Sequence, residues 1–386
     1  MSDAPNARAE VAETEHRLKV LFLTNLPSPY RVKFFNELGR HCDLTVVYER
    51  NAAADRDTSW SSVSAAHFAE VYLHGVQTRA DAAFCPEVLR YLLDRTFNVV
   101  VVGGYSTPTG MWAITWLRAL RIPYLLNTDG GLTKKDSPPA RRIKQWLISD
   151  ATAWLSTGPS ASRYLEHYGA DPSAIHVYPF TSVAAADVAQ SPATDAERAR
   201  LRAELGITES RCVLAVGQFI HRKGFDLLIR AAPQLGPDVG VYIVGGTPTR
   251  EYEEIRSQES AFNVHFDGFK SPRELKKYYR AADVFVLPTR EDVWGLVINE
   301  AIAQGLPIVT TDRCVAGIEL VADHVNGRVV TAGSVNELAD GLRSILAPGV
   351  AEQMGLASLK CAEAYTLERM AERHLDIFRQ VRACCD

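Results

Sequence analysis

The chain has 386 residues, 23% charged and 47% hydrophobic, with 25 glycines and 19 prolines. These ordinary globular proportions exclude collagen-like, low-complexity and wholly disordered architectures, and the length suggests two domains. A formal charge of −4 argues against a strongly basic nucleic-acid binder, and residues 1–185 (net +1) differ little from the remainder (net −5), so any anion site must be local. The seven cysteines, at 42, 85, 212, 314, 361, 384 and 385, include no C-x-x-C pair, which fits neither a zinc-finger spacing nor a disulfide framework. Residues 1–17 lack the apolar stretch of a signal peptide, and no apolar run approaches the ~20 residues of a spanning helix. The expectation is a cytoplasmic protein that at most rests on the inner face of the plasma membrane.

In chain order, a polar tail (1–17) is expected to be disordered, and the first element is the buried strand beginning at Leu18, ending in the turn Pro27-Ser28-Pro29. The helical VKFFNELGR follows, then strand DLTVVYE, strand FNVVVV with Gly103-Gly104, and helical TGMWAITWLRAL. Strand PYLLNTDGG, a helix around 139–149, strand TAWLSTG, helix SASRYLEHYGA and strand IHVYPF complete the first half. Strands rich in Val, Leu and Ile without polar alternation predict parallel sheets covered on both faces. Residues 183–200 lose the apolar strand pattern and read as a linker, 186–204, leading into a helix. The alternation then restarts with RCVLAVGQ, KGFDLLIRAAPQL, VGVYIVGG, a helix around 249–259, NVHFDGF, PRELKKYYRAA, VFVLPT, GLVINEAIAQ, PIVTTD and a helix around 334–346. Residues 351–382 are helical by period. The predicted class is α/β, with two Rossmann-like doubly wound domains (18–185 and 205–360) facing across a cleft, and a terminal helix, 361–386, returning to the first.

Ligands of open α/β sheets bind outside the carboxyl ends of the strands. Two such loops stand out. In L-P-T-R-E-D-V-W-G-L-V-I-N-E-A (287–301), Glu291 and Asp292 precede a helix that starts near Gly295. The N–H groups of Gly295, Leu296 and Val297 would attract phosphate, and Glu300, farther in, could accept two hydrogen bonds from a ribose diol. The two acids could equally be ordinary helix N-terminal charges. In G-Q-F-I-H-R-K-G-F-D (217–226), Gly217 ends a strand, and Arg222 and Lys223 suit a diphosphate; alone, this could be a solvated basic loop. Neither a Walker A motif nor G-x-G-x-x-G occurs.

Together, GQFIHRKGFDLLIRA, FDGFKSPRELKKYYRAADVFVLPT and EDVWGLVINEA resemble the retaining glycosyltransferases of family 4, which have the GT-B fold. The resemblance covers nearly all of 205–370 and, more loosely, the first half through LLNTDGG and STGPSASRYLEHYGA. It implies a nucleotide-diphosphate-sugar donor and no required cofactor or metal. By position, Glu300 would hold the nucleotide ribose and Asp292 the donor sugar. Asp292 stands where relatives have Glu, so neighbouring Glu291 could take that contact instead. Arg222 and Lys223 match the pair that holds the diphosphate, Gly217 and Gly245 close strand ends beside it, and Trp294, Gly295, Leu296 and Val297 form the helix start beneath it. Gly268, Phe269 and Lys270 fall where backbone groups hold the base.

The first half departs more from the family. Pro29, Tyr30 and Arg31 stand where many relatives have a Gly-Gly turn, and Gly104 and Tyr105 stand where many have His. With Asp129 of T-D-G-G, these are the acceptor-side candidates; Asp129 could also be a plain turn residue. Asp55-Arg56-Asp57 spells D-x-D but lies in an Ala-rich loop, and His221 and His265 lack partners at metal spacing. The stretch 134–148, with Lys134, Lys135, Arg141, Arg142 and Lys144 beside Trp146, Leu147 and Ile148, reads either as a solvated helix face or as a basic patch for an anionic membrane. The expected activity is transfer of a hexosyl or related sugar, with retention, to a saccharide or lipid-linked hydroxyl acceptor in polysaccharide or glycoconjugate synthesis. The alternatives are a nucleotide-sugar epimerase, a sugar phosphorylase, and a non-catalytic sugar-nucleotide-binding subunit.

Overall fold

A computed structural model describes residues 17–51, 64–79, 82–133 and 135–383. The chain forms two compact units, one running to Ser182 and resuming at Leu367, the other spanning Val183–Thr366. The tail at 1–16 and the D-x-D at 55–57 lie outside the described residues, as does Lys134.

The first unit is built on β1 (Lys19–Thr24), β2 (Asp43–Tyr48), β3 (Ala69–Tyr72), the antiparallel hairpin β4 (Val76–Arg79) and β5 (Ala82–Phe84), β6 (Val99–Val102), β7 (Leu125–Asn127), β8 (Ala153–Ser156) and β9 (Ile175–Val177). Seven of these form a parallel sheet in the order β3-β2-β1-β6-β7-β8-β9. Every residue of β6, β7 and β8 is buried, as expected of strands covered on both faces. Residues 64–92, for which the sequence pattern predicts no element, hold β3, the hairpin and a short helix. The reason is physical: β3 is an edge strand and β4 is exposed along its whole length, so neither carries an apolar run.

The helices of this unit are α1 (Pro29–Gly39), α2 (Val88–Leu92), α3 (Pro108–Ala119), α4 (Pro138–Ile148) and α5 (Pro159–His167). Four of them begin on proline, whose fixed φ suits the first helical turn and whose missing N–H costs nothing there. That preference corrects two boundaries. Pro29, Tyr30 and Arg31 belong to the first turn of α1 rather than to the preceding turn, and α4 starts at Pro138.

The second unit comprises α6 (Asp195–Leu205), β10 (Arg211–Val216), α7 (Phe225–Ala231), β11 (Val239–Val244), α8 (Arg250–Gln258), β12 (Val264–Asp267), α9 (Pro272–Ala281), β13 (Val284–Leu287), α10 (Leu296–Ala303), β14 (Ile308–Thr311), α11 (Val315–Leu320), β15 (Gly327–Val330), α12 (Val335–Ile345) and α13 (Val350–Ala362). Its parallel sheet runs β12-β11-β10-β13-β14-β15. The strand β15 and helix α11 are additions to the sequence reading. The helix to which the linker leads is α6, which begins within the expected linker at Asp195 and is anchored where Arg202 Nη2 meets Asp283 Oδ2 at 2.7 Å and Glu197 meets Arg280 at 2.6 Å. The segment 351–382 is two helices, α13 and then α14 (Leu367–Ala383), and α14 packs on α1 in the first unit through His374 against Phe34, ring centres 4.7 Å apart.

Each sheet places its first strand centrally and then builds outward on either side. The point where the order reverses lies between β1 and β6 in the first unit, and between β10 and β13 in the second. Crevices for ligands open beyond the strand ends at such points.

Candidate active site

In the second unit, the loops at the reversal are 217–224, after β10, and 288–295, after β13. The Asp292 carboxylate joins them: Lys223 Nζ lies 2.6 Å from Oδ2 and Arg222 Nη1 lies 3.0 Å from Oδ1. Arg222 Nη1 also donates to the Glu291 carbonyl at 3.0 Å. The backbone around Asp292 is held from β14 onward, its N–H donating to Arg313 O at 2.9 Å and its carbonyl accepting from Val315 N at 3.1 Å. Glu291 is directed elsewhere, its carboxylate 3.9 Å from Arg313. Of the two acids left open by the sequence, Asp292 is the one that meets the cations.

Gly295 is the N-cap of α10, so the first N–H groups of that helix, from Leu296 and Val297, lie just past Asp292. Trp294 is 4% exposed and its indole N–H donates to Asn299 Oδ1 at 2.8 Å. Its ring therefore packs inward and braces the helix start instead of lining a surface. One turn into α10, Glu300 Oε2 accepts from the Tyr279 hydroxyl at 2.9 Å. Burial, together with that carboxylate, pushes the Tyr279 hydroxyl well above its usual range, so it stays a donor. Gly217 and Gly245 close neighbouring strands, their N–H groups donating to Val244 O (2.9 Å) and Asp267 O (3.1 Å).

Gly268, Phe269 and Lys270 follow β12, two strands from β10, and share no contact with Asp292 here. Lys270 pairs with Asp267 at 3.0 Å, Phe269 is 56% exposed, and a Cβ on Gly268 would meet nothing within 4 Å. His265 lies on β12 with Nε2 2.6 Å from Glu209 and its ring stacked on Tyr242. Among the described residues, no group of three or more His, Cys, Asp or Glu is placed to hold a metal ion.

In the first unit, Arg31 is ion-paired with Asp129, which also accepts from Tyr30 Oη at 3.4 Å and Asn127 Nδ2 at 3.3 Å. Burial works against the Arg31 charge, but Asp129, Tyr30 and Tyr178 together outweigh it and the guanidinium is held protonated. Asp129 is thus a committed ion-pair partner, and Pro29 merely starts α1. Tyr105, beyond β6, shares a hydrogen bond with the Tyr164 hydroxyl, and Gly104 accepts from Thr107 Oγ1 at 3.2 Å. Of the basic stretch, Lys144 is turned inward onto Asp136 (2.9 Å), while Arg141, Arg142, Ile143 and Trp146 are exposed.

Two groups of functional interest escaped the sequence reading. Glu49, 2% exposed at the end of β2, accepts from Thr107 Oγ1 at 2.5 Å and Ala83 N at 3.3 Å; its signal was an acid directly after an apolar strand. Arg290 and Asp226, inside the two quoted motifs, pair across the site loops with two contacts of 2.7 Å.

Comparison with known proteins bears on both units. Residues 197–355 match the profile of glycosyl transferases group 1, and residues 16–181 match that of the glycosyl transferase 4-like domain. Each half of the chain thus matches a glycosyltransferase domain. It is 34% identical over 231 residues to the D-inositol 3-phosphate glycosyltransferase of Corynebacterium aurimucosum, covering 55% of this chain and 54% of that protein. It is 31% identical over 267 residues to the enzyme of that name from Kribbella flavida, covering 63% and 60%. The chain therefore matches little more than half the length of these relatives. Among solved structures, sucrose-phosphate synthase from Thermosynechococcus elongatus superposes with a TM-score of 0.74 at 19% identity, covering 95% of this chain and 100% of that one. Anabaena HepE in complex with UDP and glucose gives 0.73 at 17%, covering 96% and 99%. The fold is GT-B, with two Rossmann-like domains, and the family's enzymes use nucleotide-sugar donors.

Proposed function

We propose that this glycosyltransferase moves a hexosyl or related sugar from a nucleotide-diphosphate donor to a hydroxyl acceptor with retention of configuration, the donor being held by the second unit. The observation that carries this reading is the convergence of Arg222, Lys223 and Asp292 at the reversal of the second sheet, beside the start of α10. A diphosphate entering there satisfies both cations and the Leu296 and Val297 amides. It thereby displaces the Asp292 carboxylate, which turns to the sugar hydroxyls. Glu300 accepts from the ribose.

As the bond from the anomeric carbon to phosphate breaks, negative charge grows on the leaving diphosphate, and these preorganised donors stabilise it. The acceptor oxygen bonds to the same face of the sugar and its proton passes to a departing phosphate oxygen. With Asp292 turned to the sugar hydroxyls, no side chain is assigned as a covalent nucleophile, which favours this front-face route. The acceptor, a saccharide or lipid-linked hydroxyl, is assigned to the first unit, beside the half-buried Tyr30, Gly104 and Tyr105. The exposed face of α4, with Arg141, Arg142, Ile143 and Trp146, supports a peripheral contact with an anionic membrane.

Calorimetry with UDP, GDP and ADP tests the donor site: Lys223→Ala and Glu300→Gln should each weaken binding of the preferred diphosphate. Unchanged binding in both would sink the assignment. Release of sugar 1-phosphate with inorganic phosphate as acceptor would instead indicate a phosphorylase, and binding without turnover a non-catalytic subunit.

A further inference from the structure

Arg290 precedes Asp292 by two residues and makes none of the donor contacts proposed above. Its guanidinium meets the Asp226 carboxylate in two parallel bonds, Nη1 to Oδ1 and Nη2 to Oδ2, each 2.7 Å. Nη1 also donates to the His221 carbonyl at 2.8 Å, and the Arg290 backbone N–H donates to the Arg222 carbonyl at 2.8 Å. The hydroxyl of Thr289, a fully buried residue, donates to that same Arg222 carbonyl at 2.8 Å. Three acceptors, at 221 and 222 on one loop and at 226 in the first turn of α7, thus bind residues 289–290 of the other loop, and they bracket the turn that presents Arg222 and Lys223.

Both partners are mostly covered, at 28% and 17% side-chain exposure. Burial alone would raise the Asp226 carboxyl, but Arg290 outweighs it and the net shift is downward, so the pair is ionised. A forked guanidinium–carboxylate pair fixes orientation as well as distance, which a lysine cannot do.

We infer that Arg290, clamped to Asp226, is a positioning residue that sets the offset between the Arg222–Lys223 turn and Asp292 and thereby sets donor affinity. The inference rests on the donor-site reading above. Misplacement of about 1 Å among groups that grip a reacting ligand costs on the order of a hundredfold, and the Arg290–Asp226 pair joins the two sides of the site apart from the cluster at Asp292.

The test uses the full chain and four variants, Arg290→Lys, Asp226→Asn, their double, and Lys223→Ala, titrated with UDP, GDP and ADP and melted without ligand. Arg290→Lys keeps the charge and loses the fork, so diphosphate binding should weaken roughly tenfold while the melting temperature moves little. Asp226→Asn should do the same and stands in if the Arg290 variant does not fold. The double variant should bind no more weakly than either single one, because both break the same clamp. A lowered melting temperature with unchanged affinity shows a purely structural pair and overturns the inference, as do additive losses in the double variant. If Lys223→Ala weakens binding and Arg290→Lys does not, the clamp alone is refuted. If Lys223→Ala has no effect either, the donor-site reading falls and takes the clamp with it.

Discussion

Lys223 Nζ stands 2.6 Å from Asp292 Oδ2, in the place where a donor phosphate would have to sit to use that lysine. With Arg222 3.0 Å from the other oxygen, one carboxylate occupies two cations. Donor binding therefore competes with an internal anion. Asp292→Asn should tighten nucleoside diphosphate binding several-fold, since a charged hydrogen-bond competitor worth about 1.5–3 kcal/mol is replaced by a neutral one. Turnover should nevertheless fall, because the group that would engage the sugar is changed. Calorimetry and a donor-consumption assay check the two halves separately. Glu291→Gln, at the neighbouring acid that faces Arg313, should leave affinity nearly unchanged.

Glu300 and Tyr279 give a second prediction. The Tyr279 hydroxyl is on a residue only 3% exposed and donates to Glu300. Truncating Glu300 to alanine confounds binding with stability, because an abandoned buried hydroxyl costs about 1–3 kcal/mol. Glu300→Gln retains an acceptor for Tyr279 and should spare the melting temperature while weakening nucleotide binding. Tyr279→Phe should do the reverse, lowering stability by about 1 kcal/mol and leaving nucleotide affinity within twofold.

The turn between Lys223 and α7 depends on one glycine. Gly224 has φ +70°, and a Cβ on it would lie 2.1 Å from the Pro288 carbonyl oxygen, which belongs to the opposite loop. Gly224→Ala must push the two loops apart or strain both. Unfolding of the second unit should cost more than about 1 kcal/mol less, beyond the usual range of Gly→Ala changes at compatible positions, and diphosphate affinity should drop with it. Chemical denaturation and calorimetry on the same sample read both.

His374 makes the stability of the first unit depend on pH. It is fully buried on α14 between Phe34 and Tyr178, with Nδ1 2.7 Å from Met370 O and Nε2 without a partner. Burial depresses its pKa from 6.5 to about 4. Between those values the unfolded chain binds a proton that the folded chain refuses. Stability is therefore unaffected above about pH 6.5 and declines as pH falls toward 4, by a total on the order of 3 kcal/mol. Urea midpoints at pH 7 and pH 5 should differ in the native chain and differ less in His374→Leu. An equal pH dependence in both would assign the effect to other groups.

Both sheets were legible because their central strands are continuous apolar runs that no other element explains, as in VVVV at 99–102 and VFVL at 284–287. The edge strand β3 was not legible, since three of its four residues face solvent or nearly so and it borrows its pairing from β2. At the site, residue types and spacing pointed to Arg222, Lys223 and the 291–292 acids, but not to which acid meets the cations. That choice depends on where the backbone is tied, through Arg313 and Val315 of a segment some twenty residues on. Arg290 and Asp226 were hidden for the opposite reason. Each looks like an ordinary surface charge until the fold sets their loops side by side.

The face of α4 yields the last prediction. Ile143 and Trp146, 54% and 44% exposed, lie three residues apart and so on one side of the helix, with Arg141 and Arg142 adjoining and Arg118 over the Trp146 ring at 4.5 Å. Exposed Trp amid arginines suits the boundary between headgroups and acyl chains, where each cation near an anionic surface contributes about 1 kcal/mol. The chain should therefore co-sediment with phosphatidylglycerol vesicles and not with phosphatidylcholine vesicles, and less so as salt is raised toward about 0.5 M, where surface charge is strongly screened. Ile143→Ser with Trp146→Ser should weaken binding without changing its salt dependence, whereas Arg141→Ala with Arg142→Ala should flatten that dependence. Neither pair should alter diphosphate affinity, since none of these residues belongs to the second unit. Equal sedimentation with neutral and anionic vesicles, or none with either, would leave α4 as a solvated helix face.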